Sequence, residues 1–279
     1  MNTPVSTDSN SLPELVVFRN VTKVFGSGEQ AKVAVQDVSF VIHDLPKKGE
    51  LITIVGPSGC GKSTVLRMLA GLSPHYPPTS GEVIAFGQRV TGPGADRGLV
   101  DQKYSLLPHL TVLDNIAFGL KLRGVSRKER QAQATEWVQK VGLAGAEAKY
   151  PSELSGGMQQ RVSIAATLIL KPRILLMDEP FGALDPKIRL RMQELLVRLW
   201  NEQESTVFFV THSVEEAVYL GDRVFRMTAH PGRLAEIMPA PRPDEPPDVL
   251  RKRPEFICLC QELLRKLEED EMDAGKPSS

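Results

Sequence analysis

Residues Gly56 to Thr64 read Gly-Pro-Ser-Gly-Cys-Gly-Lys-Ser-Thr, directly after the apolar run Leu51 to Val55 and directly before a helical stretch. Apolar strand, glycine-rich loop, Lys-Ser and helix in that order predict a strand ending in a phosphate cradle, its backbone N–H groups turned inward onto anionic oxygens. Glycine-rich turns are common; the ordered context is what narrows the fold to a strand–loop–helix unit. Gly56, Pro57, Ser58, Gly59, Cys60, Gly61, Lys62, Ser63 and Thr64 are therefore the expected nucleotide-binding residues. Lys62 places a point charge at the β and γ positions of a triphosphate, and the Ser63 hydroxyl is a candidate Mg²⁺ ligand.

A second motif lies downstream, where the unbroken apolar run Ile174 to Met177 ends in Asp178, Glu179 and Pro180. Such a run suits a parallel strand covered on both faces. Its carboxylates then emerge at the C-terminal sheet edge, where open α/β sheets hold their ligands. Asp178 is expected to be a Mg²⁺ partner, and Glu179 to orient or deprotonate the water that attacks the γ-phosphate. A third segment, Leu154-Ser155-Gly156-Gly157-Met158-Gln159-Gln160-Arg161, opens the helical run Met158 to Leu170 with a hydroxyl and two glycines. A helix N-terminus of that kind attracts phosphate, although Ser155 could equally be a plain N-cap.

The third segment resembles the signature sequence of the ABC-type ATPases, and together with the first two motifs it makes the chain similar to that family over roughly Leu15 to Met238. The resemblance implies an α/β P-loop ABC ATPase fold: a mostly parallel core sheet, an antiparallel β layer and an inserted helical subdomain. It implies ATP and Mg²⁺ as ligands, and Ser155, Gly156 and Gly157 as contacts to the nucleotide of a facing subunit. By the same resemblance Gln102 senses Mg²⁺ and the γ-phosphate, His212 holds the γ-phosphate, and Phe25 is the aromatic on which adenine stacks. Ala183, Leu184 and Asp185 match the short loop at the dimer interface, with Asp185 counted among the nucleotide contacts.

Finer likenesses narrow the resemblance. Ser105 to Leu120, Asp178 to Asp185 and Ala229-His-Pro-Gly-Arg233 look like the ATPases of nitrate, sulfonate, taurine and bicarbonate importers. This implies a subunit that hydrolyses ATP to power uptake of a small anion through separate permease subunits. A second ATPase subunit, a homodimer partner, is implied, with a solute-binding protein as an indirect partner and a place on the cytoplasmic face of the membrane. Three positions depart from the pattern: Asp101 stands where relatives often have Phe, Ala166-Thr167 replaces Arg-Ala, and Ser213 replaces a frequent Asp. Asp101 adds charge at a hinge, and the missing arginine is expected to loosen the helical subdomain. Two other readings share the catalytic motifs: an ABC ATPase for export or lipid movement, and a soluble ABC ATPase acting on DNA or ribosomes. The chain has neither the long coiled-coil insertion nor the second ATPase unit of the latter.

Composition enters where it excludes. Lys plus Arg is 34 and Asp plus Glu is 34 in 279 residues, a formal net charge of zero. That balance argues against a nucleic-acid partner, which calls for a basic excess or stripe; Arg251-Lys252-Arg253 is too short to replace one and reads as a solvated helix start. No run approaches the ~20 apolar residues of a membrane span, and Met1 to Glu14 lacks the apolar centre of a signal peptide. The three cysteines make no disulfide framework, which fits a reducing cytoplasm. Cys258 and Cys260 lack zinc spacing and read as helix packing positions, and Cys60 as a thiol open to alkylation but a spectator to binding.

The expected organisation is a disordered tail over 1–13 and an ATPase domain over 14–238, with its helical subdomain at about 103–165. A Pro-rich linker over 239–249 and a C-terminal helix and tail over 250–279 complete it. Leu15 to Phe25, Val33 to Ile42 and Glu82 to Phe86 supply the antiparallel layer; Leu51 to Val55, Ile174 to Met177 and Val207 to Val210 the parallel core. Ser126 and Glu129 have capping-box spacing, with Ala134, Val138 and Val141 on one face and Gly142 closing the helix. Asp185 caps a helix with Pro186 at its first position, and Ile188, Met192, Leu195 and Leu199 form its apolar stripe. A last helix spans Pro254 to Glu271, with Phe256, Leu259, Leu263 and Leu267 inward, and 274–279 is expected to be disordered.

Overall fold

The computed structural model describes residues 12–45, 48–102, 105–243 and 245–274. Two sheets form the frame. β1 (Glu14–Phe25), β2 (Lys32–His43), β4 (Ser80–Ala85) and β5 (Gln88–Arg89) make an antiparallel sheet in the order β2-β1-β4-β5. The larger sheet has six strands: β3 (Leu51–Val55), β6 (Arg97–Val100), β7 (Ile174–Asp178), β8 (Thr206–Val210), β9 (Arg223–Thr228) and β10 (Arg233–Pro239), ordered β10-β9-β3-β8-β7-β6. All its pairings are parallel except that of β9 with β10. β3 lies between β8 and β9, so the order reverses there, and the loop leaving its C-terminal end opens into the crevice of a topological switch point.

Alternation along the central strands splits the apolar interior in two. Leu51, Val55, Leu175, Met177, Val207 and Phe209 point into one cluster, and Ile52, Ile54, Ile174, Leu176, Phe208 and Val210 into the other. A strand side-chain period of two sends adjacent residues to opposite faces, and with both faces covered all three strands are buried at every residue, Thr53, Asp178 and Thr206 included. The second cluster is closed by α1 (Lys62–Ala70) and the antiparallel sheet, through Phe18, Val35, Val38, Leu66 and Leu69. The first is covered by α2 (Val112–Leu122), α3 (Arg127–Lys140), α4 (Gly156–Leu168), α5 (Pro186–Asn201), α6 (Val214–Leu220) and two C-terminal helices.

The helical stretch between Gln102 and β7 contains α2, α3 and α4, each begun by a hydroxyl cap. Thr111 accepts from Asp114 N, Ser126 from Glu129 N and Ser155 from Met158 N. Ala134, Val138 and Val141 are buried on one side of α3, and Gly142 leaves it at φ 66°. α5 follows the same logic, with Asp185 capping Ile188 N, Pro186 at its first position, and Met192, Leu195 and Leu199 buried. In place of an arginine, Ala166 lines a cavity of about 340 Å³ with Leu106, Leu107, Phe118 and Leu170.

Several expectations change. β6, β9 and β10 carry polar residues among their apolar ones and give no strong strand signal, so their pairing partners decide them. The linker expected over 239–249 is partly structured: β10 runs to Pro239, and α7 (Pro247–Leu250) buries Pro247 and Leu250. Arg251 is not simply solvated, because it meets Glu215 and Gln193. α8 (Pro254–Ala274) runs past Glu271, with Phe256, Cys260 and Leu263 buried and Leu259 and Leu267 partly so. Cys258 is exposed and takes no part in packing. Residues 12 and 13, assigned to a tail, join the fold, since His43 Nδ1 meets Leu12 O and Asp44 N donates to Pro13 O. The expected disorder of 1–11 and 275–279 falls outside the described residues, while Ala274 is the last residue of α8. Among the described residues no helix is long and apolar enough to cross a membrane.

Candidate active site

The loop from Gly56 to Gly61 joins β3 to α1 and turns through two left-handed glycines, Gly59 at φ 78° and Gly61 at φ 92°. Gly61 is forced twice over, since a Cβ there would lie 2.3 Å from Val35 Cγ1 and 2.9 Å from Ala34 O. The loop therefore nests against β2, and a glycine turn between a strand end and a helix start is the kind of backbone that accommodates an anion. Lys62 bends back over it and is buried, its Nζ donating to Gly56 O at 2.8 Å and Pro57 O at 2.9 Å. Thr64 is buried in the first turn of α1. The Cys60 side chain is wholly buried, with Sγ 3.7 Å from Lys62 Nζ, and burial pushes its thiol pKa up. It is thus shielded rather than open to alkylation.

Ser63 and Asp178 come together from opposite ends of the sequence motifs. Ser63 Oγ donates to Asp178 Oδ1 at 2.7 Å, and Asp178 is buried at the end of β7. Among the described residues no cluster of three or more His, Cys, Asp or Glu could cage a metal. One carboxylate and one hydroxyl fit Mg²⁺, a hard cation that keeps waters and takes its remaining ligands from substrate phosphates. Arg67, one helical turn beyond Ser63, reaches Asp178 Oδ2 at 3.2 Å and Asp101 Oδ1 at 3.3 Å. Asp101 also accepts the N–H of Gln102 at 2.8 Å. The unusual Asp101 is thus an internal counter-charge to Arg67.

Glu179 stands one residue past β7 at φ 48°. A non-glycine residue in that conformation is strained, and such strain clusters at functional sites. The turn sets its two oxygens on different partners. Gln102 Nε2 donates to Oε2 at 3.3 Å, and His212 Nδ1 lies 3.1 Å from Oε1. Gln102 follows β6 and His212 follows β8, so three neighbouring strands deliver the three side chains to one edge.

The other expected residues lie apart. Ser155, Gly156 and Gly157 begin α4, which packs against α2, α3, α5 and β6, and the Ser155 hydroxyl is engaged by Met158 N at 3.4 Å. The Asp185 carboxylate accepts from Ile188 N at 3.1 Å. Phe25, half-buried at the end of β1, meets the His75 ring edge-on at 5.4 Å, with Lys23 Nζ 5.3 Å from its centroid. Burial, then Arg67 and Lys23, hold His75 below its usual pKa.

Residues 19–182 match the family model of ABC transporters. The chain belongs to the ABC transporter family. A nitrate import ATP-binding protein of Synechocystis sp. is 44% identical over 264 residues, 91% of this chain and 97% of that relative. A taurine import ATP-binding protein of Rhizobium johnstonii is 52% identical over 201 residues, covering 72% of this chain and 74% of the relative. A dimeric post-hydrolysis ATP-binding cassette with ADP and Pi superposes with a TM-score of 0.70 at 33% identity, covering 81% of this chain and 99% of the solved one.

Three residues of this ABC cassette escaped the sequence reading. Arg67 was legible in principle, because i,i+4 spacing puts it on the Ser63 face of α1. Gly232 belongs to the Ala229–Arg233 stretch, but only the fold places it against the phosphate loop, where a Cβ would lie 2.0 Å from Cys60 O. Glu216 is buried behind His212 and carried no motif.

Proposed function

We propose that this ABC cassette is the ATP-hydrolysing subunit of an importer for a small oxyanion-bearing solute such as nitrate, taurine or a sulfonate. The observation that carries the hydrolytic part is Glu179, held by Gln102 on one oxygen and His212 on the other, beside the Ser63–Asp178 pair. A carboxylate so placed orients an attacking water and accepts its proton. Ser63, Asp178 and Gln102 would hold a Mg²⁺ ion, which when bound would neutralise phosphate charge. Lys62 exchanges its two loop carbonyls for phosphate oxygens, the loop N–H groups cradle the same anion, and Phe25 offers a face to the adenine.

The Ser155 hydroxyl caps its own helix at Met158 N, which leaves the Ser155-Gly156-Gly157 end for a nucleotide other than the one on the phosphate loop. In this reading two copies pair head to tail, and Ser155 and Asp185 of each complete the site of the other. The dimeric state of the solved cassette supports the pairing of two copies. Hydrolysis then opens a clamp that ATP had closed. The permease subunits dock at the cavity between β6, α2 and α4, near Gln102, which holds the subunit at the cytoplasmic face of the membrane. Solute class rests on the nitrate, taurine and sulfonate relatives, which match most of the chain.

Glu179→Gln keeps the size of the side chain and loses its basicity, so ATP binding persists and hydrolysis stalls. Nucleotide affinity and phosphate release measured on the same preparation decide it; turnover at the wild-type rate refutes the assignment. Co-purification with membrane subunits, followed by nitrate, taurine and sulfonate uptake into vesicles, tests the solute class.

A further inference from the structure

Glu216 is a buried carboxylate that the hydrolytic arrangement above does not use. It lies in α6 immediately behind the strand end that carries His212, and each of its oxygens meets one donor. The Thr211 hydroxyl donates to Oε2, and Gln193 Nε2 donates to Oε1 at 2.8 Å. Gln193 is itself held, since its Oε1 accepts from Arg251 Nη2 at 3.4 Å. Thr211 Oγ1 also accepts the N–H of Ser213 at 3.0 Å, and Ser213 Oγ accepts the N–H of Glu216 at 3.3 Å. Both neighbours of His212 are therefore tied to Glu216, while the imidazole reaches forward to Glu179 Oε1.

A carboxylate in that setting is costly. Burial pushes its pKa up against the opposing effect of its two hydrogen bonds and of Arg189 and His212 nearby. Removing it alone would leave the Thr211 hydroxyl and the Gln193 amide without their acceptor, so it serves stability as well, and the readouts of the test are chosen to separate that from positioning. What the carboxylate does achieve is local: it holds the Thr211 hydroxyl on one side of His212, while Ser213 on the other side caps α6 at the Glu216 N–H. Small displacements of a positioned group are expensive in catalysis.

We infer that Glu216 is a positioning residue for ATP hydrolysis, holding Thr211 so that the His212 imidazole meets Glu179. The inference rests on the roles proposed above for His212 and Glu179. It also gives the C-terminal segment a part, because Arg251, beyond the residues matched by the family model, anchors the Gln193 end of the chain of bonds.

The test uses the full-length chain at concentrations where it hydrolyses ATP. Glu216→Gln and Thr211→Val are each expected to lower kcat roughly tenfold while KM and nucleotide affinity stay within about twofold of wild type. Thr211→Ser, which restores the hydroxyl, recovers most of the loss, and the ¹⁵N signals of the His212 ring shift in the two defective variants. Wild-type kcat in both Glu216→Gln and Thr211→Val overturns the inference. So does a Thr211→Ser variant as slow as Thr211→Val, or an unmoved His212 signal. Should Glu216→Gln fail to fold, the Thr211 pair decides alone. His212→Ala separates the two levels: if it hydrolyses at the wild-type rate, the role assigned to His212 fails. If it is slow while Glu216→Gln and Thr211→Val are not, only the role of Glu216 does.

Discussion

Gly61→Ala, measured against Gly59→Ala, isolates the packing that shapes the phosphate loop. Both glycines have positive φ, 78° at Gly59 and 92° at Gly61, so an alanine at either pays a backbone penalty of roughly 1–2 kcal/mol. They differ in what surrounds them. Nothing lies within 4 Å of a Cβ on Gly59, whereas one on Gly61 would sit 2.3 Å from Val35 Cγ1 and 2.9 Å from Ala34 O. Val35 is buried in the core shared by β2 and α1, so relief requires the loop to back away from the antiparallel sheet. Overpacking of that kind adds roughly 1–3 kcal/mol. The expected loss is about 1–2 kcal/mol for Gly59→Ala and about 2–5 kcal/mol for Gly61→Ala, the latter a large share of a typical domain's 5–15 kcal/mol. Urea unfolding at a common slope resolves the difference, and the same samples are titrated with ATP. Because Gly61 is also the N-cap of α1 and adjoins Lys62, its variant should bind nucleotide more weakly than the Gly59 variant. Equal unfolding midpoints for the two would refute the claim that contact with β2 sets the loop.

The remaining predictions test other parts of the molecule. Lys62→Ala removes the cation from the cradle and should weaken ATP binding itself; unchanged affinity by calorimetry counts against the placement of the phosphates. Leu263 is fully buried in α8, so Leu263→Ala should cost about 2–5 kcal/mol in urea unfolding, whereas a wild-type midpoint would make α8 a detachable arm. Near neutral pH, iodoacetamide should label exposed Cys258 well before the other two thiols. Burial raises Cys60 and pushes Cys260 up to about 11, and each unit of pKa removes about nine-tenths of the reactive thiolate. Equal labelling of all three by mass spectrometry would contradict the burial.

Much of the fold was legible because its strongest signals are local. The apolar runs of β3, β7 and β8 could be buried only on both faces, and capping residues at Ser126 and Asp185 mark the starts of α3 and α5, while the run expected from Met158 begins two residues earlier, directly after Ser155. β6, β9 and β10 were not legible, because a strand such as Arg97–Val100 is only partly buried and owes its form to β7 beside it. The linker at 239–249 was misjudged for a related reason. Proline-rich composition describes a free chain, while here Pro243 and Pro247 within that stretch are buried.

The candidate site divides along the same line. The residue types that carry its chemistry, the phosphate loop with Lys62 and Ser63, Asp178 and Glu179, and the hydroxyl start of α4, follow from short contiguous motifs, since each needs only its own strand end or helix turn to be in position. Their meeting does not. Gln102 and Glu179 are 77 positions apart and Ser63 and Asp178 are 115, and only the parallel order of β6, β7, β8 and β3 brings those ends to one edge. Spacing alone puts Arg67 on the Ser63 face of α1, but its pairing with Asp178, the seat of Gly232 against Cys60 and the bond from Gln193 to Glu216 join separate elements, and no local pattern in the sequence encodes a contact of that kind.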